Sequence, residues 1–178
     1  ALAQARTHDR DLLRGNVTAL QIAVFWRLKD MAALLLDAGA DIEAYGLNDI
    51  KKPLITAAFN GDSDLVDLLL RRGAQVEAHD DTHGATPLHW VVYAAHFWWQ
   101  THDQRSQVVE LLTQAGIEPN IVHPRWGTPL HLAVQFGRID LVKTLLSCGA
   151  RTDIQNADGK TAKRLAEENG DDMIVETL

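Results

Sequence analysis

Eight histidines, three serines and one cysteine carry most of the side chains suited to chemistry in this 178-residue chain. His79 and His83 stand four apart, the spacing that makes a metal pair on a helix. They fall in a stretch read as a hairpin, where that geometry is lost. His96 and His102 lie close to Asp103, but a zinc site wants three or four converging ligands. Ser63, Ser106 and Ser147 are the only serines, and none sits in the strand–turn–helix elbow of a nucleophile. Cys148 precedes Gly149 and reads as a partly buried thiol. No glycine loop suited to cradling phosphate is present. No catalytic residue, metal or cofactor is therefore expected. Of the remaining four histidines, His89 and His131 stand in a repeated context: Gly84-Ala85-Thr86-Pro87-Leu88-His89 and Gly127-Thr128-Pro129-Leu130-His131.

That context is a helix start. Proline in the first turn loses no hydrogen bond, because its missing N–H has no helical partner there. Threonine just before it can cap the helix with its hydroxyl. Leucine then faces the core, and histidine lies within reach of the threonine one turn back. Thr18, Lys52 and Thr161 hold the same place as Thr86 and Thr128, in weaker copies. A second marker, Gly39-Ala40, Gly73-Ala74 and Gly149-Ala150, follows each start at a fixed interval; in the third copy it is Gly116-Ile117, later by about nine residues. Between the markers run apolar residues at helical spacing, such as Leu65-Val66-Asp67-Leu68-Leu69-Leu70 and Leu141-Val142 with Leu145-Leu146.

The pattern resembles the ankyrin repeat family, whose unit is a turn plus two antiparallel helices of about 33 residues with a Thr-Pro-Leu-His-x-Ala signature. The resemblance covers roughly residues 13 to 178. It implies an all-α solenoid forming a single domain over 1–178, with repeats at about 13–46, 47–80, 81–122, 123–155 and 156–178. The last is a partial, polar copy suited to capping, which solenoids need for solubility. Residues Ala1 to Leu12 read as a degenerate helix or an N-terminal cap.

Composition agrees. A net charge of −7 argues against a nucleic-acid surface. No apolar run reaches the roughly 18 residues of a membrane span. A single cysteine suits a reducing compartment, cytoplasm or nucleus. The chain is expected to act as a monomer or as part of a longer protein.

The copies depart from the family pattern at several places, three of which bear on the helices. Arg27 replaces the glycine between the helices of copy one, Lys52 replaces the capping threonine of copy two, and an insertion at about 95–106 breaks copy three. No Gly or Pro interrupts the insertion, so a lengthened first helix followed by a polar turn is expected.

The resemblance also places function. Family members bind partners on the concave side, with hairpin tips and first helices. The seventh and eighth residues after each threonine position include Phe25, Trp26, Phe59, Tyr93 and Phe136, an aromatic stripe along four copies. Tip residues Asp49, Lys51, His83, Arg125 and Trp126, and the insertion's Trp98 and Trp99, complete the expected contact set. Packing between neighbouring first helices is the competing role for the stripe, and Trp126 reads equally as a contact or as a plug. Asn120 stands where hairpin asparagines of the family are hydroxylated, although Pro119 departs from that pattern. The leading expectation is a scaffold for a protein or peptide partner. The alternative is a small-molecule or catalytic pocket closed by His83, Tyr93, His96, Trp98, Trp99 and Trp126.

Overall fold

The computed structural model describes residues 17–44, 52–77, 84–96 and 104–178. Ten helices occur among them: α1 (Ala19–Phe25), α2 (Lys29–Asp37), α3 (Pro53–Asn60), α4 (Ser63–Arg71), α5 (Pro87–Ala94), α6 (Arg105–Gln114), α7 (Pro129–Gln135), α8 (Ile139–Ser147), α9 (Ala162–Asn169) and α10 (Asp172–Thr177). The only β-structure among the described residues is two isolated bridges, His123 with Gly127 and Gln155 with Thr161.

Each helix pair begins as the sequence dictates. Thr18 and Thr128 cap α1 and α7, and each accepts the backbone N–H three residues on. The third residue returns the bond, Gln21 to the Thr18 N–H at 2.9 Å and His131 to the Thr128 N–H at 3.2 Å. Both orphan donors of the first turn are thereby satisfied. Lys52 makes no side-chain cap on α3. Each of the first four pairs closes on its glycine marker, whose φ runs from +83° at Gly39 to +99° at Gly116, the left-handed C-terminal turn.

The pairs then stack. Odd-numbered helices pack on odd, α1 on α3 on α5 on α7 on α9, and even on even. One continuous core results, with Leu20, Leu54, Leu88 and Leu130 from first helices against Leu65, Leu69, Leu112, Leu141 and Leu145 from second helices, all buried. No helix pair buries its apolar face alone, so stacking supplies the core.

The structure shows the geometry at two of these departures. Arg27 keeps the left-handed turn despite its side chain, at φ +58°. Its guanidinium donates to the Asn60 carbonyl, which holds it in a conformation costly to a non-glycine residue. The first helix of copy three is not lengthened: α5 ends at Ala94, eight residues long like α3. Arg105 and Arg138 are the physical reason. Arg105, 1% exposed, reaches the Ala94 carbonyl at 3.5 Å, and Arg138 donates to the Ala95 carbonyl at 3.2 Å. Cations at the carbonyl end satisfy its orphan acceptors and favour its dipole, so the helix stops without Gly or Pro.

Candidate functional site

First helices and one hairpin carry a chain of aromatic rings. Trp90, on the fourth residue after the Thr86 cap, is its hub. Its ring lies 6.0 Å from Phe59, 5.5 Å from Tyr93 and 5.3 Å from Trp126, tilted or edge-on in each case. Trp126 stacks on Tyr93 at 4.9 Å with 14° between planes. The row continues through Tyr93 to Phe136 at 6.1 Å, and from Phe136 to His96 at 4.8 Å. Such offset and edge-to-face contacts contribute about 0.5–1.5 kcal/mol each beyond area burial. Ile55, Ala85 and Trp90 form a small apolar nucleus separate from the main core, against which Phe59, Tyr93 and Trp126 pack half-buried.

Phe25 and Trp26 form a pair of their own, edge to face at 5.3 Å. They remain 40% and 46% exposed. Leu28, Met31 and Leu34 are exposed just after them, so most of the large exposed apolar side chains among the described residues gather in copy one. The Asn60 side chain ties this end to copy two, donating to the carbonyls of Val24 and Phe25 at 3.3 Å each.

The hairpin before α7 presents Trp126. His123, 2% exposed, anchors that turn. Its Nδ1 accepts the backbone N–H groups of Arg125 at 3.1 Å and Trp126 at 3.2 Å. Its ring stacks on Trp126 at 4.5 Å and lies 5.7 Å from the His89 ring. Backbone bonds between His123 and Gly127 close the turn in both directions. Arg125 is exposed at its tip.

Buried histidines also join the copies. Nδ1 of His131 accepts from the Thr128 N–H, so Nε2 carries the proton and donates to the Lys160 carbonyl at 3.0 Å. Burial pushes the His131 pKa below its ordinary value, against the raising effect of backbone bonds to Lys160 and Ile154. At the other side of α7, burial raises the Asp140 pKa, but the hydrogen bond and charge of Arg138 outweigh it and hold the carboxyl below its usual range.

The structure thus brings Phe59, Tyr93, Trp126 and Phe136 into one row, sets Phe25 and Trp26 in a second exposed pair, and leaves Arg125 at a tip. Asp49, Lys51, His83, Trp98 and Trp99 lie outside the described residues, as do His79 and His102. Of the pocket residues of the alternative reading, Tyr93, His96 and Trp126 belong to the row. Trp90, His123, Arg105 and Arg138 were not singled out in the sequence. A tryptophan where other copies have Ile22, Thr56 and Leu132 was the available signal for the first. Among the described residues no group of three or more His, Cys, Asp or Glu could hold a metal ion. No helix there is long and apolar enough to cross a membrane.

The family pattern described as Ankyrin repeats (3 copies) matches residues 97–178, and that described as Ankyrin repeat matches residues 16–46 and 52–81. Protein PhlB of Serratia liquefaciens is 40% identical over 138 residues, 76% of this chain and 56% of its own length. The putative palmitoyltransferase ZDHHC13 of Danio rerio is 26% identical over 152 residues, 85% of this chain and 21% of its own. Cyclin-dependent kinase 4 inhibitor B of Rattus norvegicus is 35% identical over 126 residues, 70% of this chain and 88% of its own. The chain spans about half the length of the first of these and about a fifth of the second.

Proposed function

The chain belongs to the ankyrin repeat family, and from that premise we propose that it is a protein-binding module whose aromatic first-helix row holds a peptide or protein partner on the concave side of the solenoid. Ankyrin repeats generally mediate protein–protein interaction and are typically binding modules without catalytic chemistry of their own. The inhibitor of cyclin-dependent kinase 4 among the similar proteins acts on another protein by its name.

One observation carries the finer reading. Phe25 and Trp26 stay 40% and 46% exposed while forming a fixed edge-to-face pair. Preformed aromatic anchors bind at low entropic cost and dominate interface energetics. Phe59, Tyr93 and Phe136 extend the surface at half burial. The proposed contact set also takes in Arg125 and Trp126 and, from the sequence alone, Asp49, Lys51 and His83 with Trp98 and Trp99 of the insertion at about 95–106. The partner meets ring faces and edges, with no bond made or broken.

The test is capture of a partner by the wild-type chain against a Phe25→Ala/Trp26→Ala variant, with Met173→Ala as a surface control 66% exposed at the other end. The partner is then titrated against all three by calorimetry. The double variant keeps its far-UV spectrum and weakens binding at least tenfold, about 1.4 kcal/mol, while the control binds as wild type does. Equal affinity for the double variant and wild type refutes the assignment of this pair.

A further inference from the structure

The face of copy one turned away from copy two is apolar and open. Met31 stands eight places before its glycine marker, Gly39; Leu65, Val108 and Leu141 hold the same place before Gly73, Gly116 and Gly149. Those three are 0% exposed, whereas Met31 is 50% exposed. Leu35, four places before its marker, is half-buried, while Leu69, Leu112 and Leu145 are fully enclosed. On the first helix, Ile22 is half-buried where Trp90 and Leu132 are buried. Residue type does not explain the difference, since all are apolar. In later copies the preceding helix pair covers these places, and copy one has no such pair among the described residues.

The open places form a strip as wide as a helix. Leu28, Met31 and Leu34 follow at three-residue steps along α2, and Phe25 with Trp26 adjoins them from the end of α1. Contiguous exposed apolar surface of this kind marks an interaction site. Carboxylates border the strip. Asp30 and Asp37 stand four residues before and three after Leu34, on adjoining turns, and both are exposed. The cations of this end are turned toward copy two: Lys29 pairs with Asp64 at 3.1 Å, and the Arg27 guanidinium donates to the Asn60 carbonyl. Arg72 matches Asp37 at 2.8 Å, and no cation among the described residues matches Asp30.

We propose that this strip docks an amphipathic helix of a partner protein, apolar at i, i+3, i+4 and i+7 and lined on one border by lysine or arginine. Helices already cover the equivalent places of copies two to four, so the shape of the site is that of a helix seat. Recognition of this kind is read through anchors at that spacing. A basic border complements Asp30, and it suits a chain of net charge −7. A second copy of this chain would instead bring the same carboxylates and the same net charge. The proposal rests on the reading of the chain as a protein-binding module, but not on the concave row, with which it shares only Phe25 and Trp26.

The probe is an acetylated, amidated peptide of leucine, alanine and lysine, about 18 residues long so that it can populate a helix, with leucine at the stated spacing and lysine beside it. A scrambled peptide of the same composition and one with glutamate for lysine are the controls. Each is titrated by calorimetry into wild type, Met31→Gln/Leu34→Gln, Asp30→Asn and Phe136→Ala. Glutamine is a good helix former and both replaced side chains are exposed, so the double variant is expected to keep its far-UV spectrum. The basic stripe peptide should bind wild type and Phe136→Ala equally. It should bind the double variant at least tenfold more weakly, about 1.4 kcal/mol, and Asp30→Asn about twofold to fivefold more weakly, as for an exposed ion pair. The scrambled and acidic peptides should bind wild type at least tenfold more weakly than the basic stripe peptide. Equal binding by the double variant or by the scrambled peptide overturns the seat, as does equal weakening by Phe136→Ala, a row residue in copy four. Absence of binding to wild type, the result if residues 1–16 occupy the face, overturns it too. Sedimentation of wild type as a dimer that Met31→Gln/Leu34→Gln converts to monomer overturns it in favour of a second copy. Failure of the concave row shows separately, as partner affinity unchanged in Phe25→Ala/Trp26→Ala, and leaves the peptide result standing.

Discussion

Two glycines of left-handed conformation give a controlled measurement of how tightly the Trp126 hairpin is packed. Gly73 has φ +89°, and a Cβ built there meets nothing within 4 Å. Gly127 has φ +69°, and its Cβ would lie 2.9 Å from the Cγ of His131, 3.0 Å from the Cβ of Asn156 and 3.1 Å from the Cβ of His131. Alanine at either site incurs the left-handed penalty of about 1–2 kcal/mol. Each also gains about 0.4–1 kcal/mol from a less flexible unfolded chain. Gly73→Ala should therefore cost roughly 1 kcal/mol. Gly127→Ala adds overpacking of about 1–3 kcal/mol, because the atoms it meets lie at the base of a capped histidine and of a hairpin asparagine rather than at flexible ends. Its total is about 2–4 kcal/mol. With a urea m value of about 2 kcal/mol per M, the midpoint falls about 0.5 M for Gly73→Ala and about 1–2 M for Gly127→Ala, at unchanged m. Equal midpoints for the two variants would refute the packing argument. A changed m for Gly127→Ala alone would show that the native hairpin had opened rather than strained.

The other expectations concern caps and protons. Burial lowers the His131 pKa, so between that lowered value and about 6.5 the unfolded chain binds more protons than the folded one. Stability is then full above about pH 6.5 and declines as pH falls through that window, by at most about 1.4 kcal/mol per pH unit for one proton. His131→Gln keeps the reciprocal cap, as Gln21 does on Thr18, and urea midpoints at pH 7 and pH 5.5 should differ less for it than for wild type. Lys52→Thr supplies the side-chain cap that α3 lacks, worth about 0.5–2 kcal/mol, against loss of the Lys52–Glu43 pair at 3.5 Å. A net gain of about 1 kcal/mol in urea denaturation is expected, and a loss would mean that the ion pair outweighs the cap. Leu69→Ala, at a fully buried second-helix position, should cost about 2–5 kcal/mol in the same measurement.

What could be read from sequence was local. A threonine that caps, a proline tolerated in the first turn and a glycine that ends the second helix act within a few residues of themselves. Their phase is therefore visible in a single chain, and it places α1, α5, α7 and α9. The end of α5 was not local. Nothing between Tyr93 and Ser106 breaks a helix by itself, and the stop comes from Arg105 and Arg138, which reach the carbonyls of Ala94 and Ala95 from other parts of the fold. The left-handed Arg27 turn is similar: residue type alone did not fix it, and a bond to the Asn60 carbonyl thirty-three residues away supports it. In the site, spacing named Tyr93 and Phe136 but missed Trp90, because a large residue four places after a cap reads as core. Trp126 read equally as contact or plug, and only the 4.9 Å stack on Tyr93 shows what its ring rests against.

One substitution links the aromatic row to the repeat itself. The third residue after each cap bonds forward to the next hairpin: Gln21 to the Ala44 carbonyl at 2.9 Å, His89 to Gly127 at 3.2 Å, His131 to Lys160 at 3.0 Å. In copy two that residue is Ile55, which has nothing to donate. Where the sequence register would send a bond toward Ala85, Ile55 instead packs with Ala85 and Trp90 in the small apolar nucleus. Ile55 itself carries no side-chain donor to satisfy, so the polar rung is exchanged for apolar contact without the desolvation penalty that a truncated histidine would incur. Contact of that kind needs area, and large aromatic side chains bring about 150–250 Å² each. Trp90 fills the site, Trp126 covers it from the hairpin that His123 holds, and Phe59 and Tyr93 flank it. Trp90 takes the enclosed place, and Phe59, Tyr93 and Trp126 around it remain half-buried. Loss of the rung thus accounts for both features at once: the second nucleus that joins copies two to four, and the half-buried ring surface beside it.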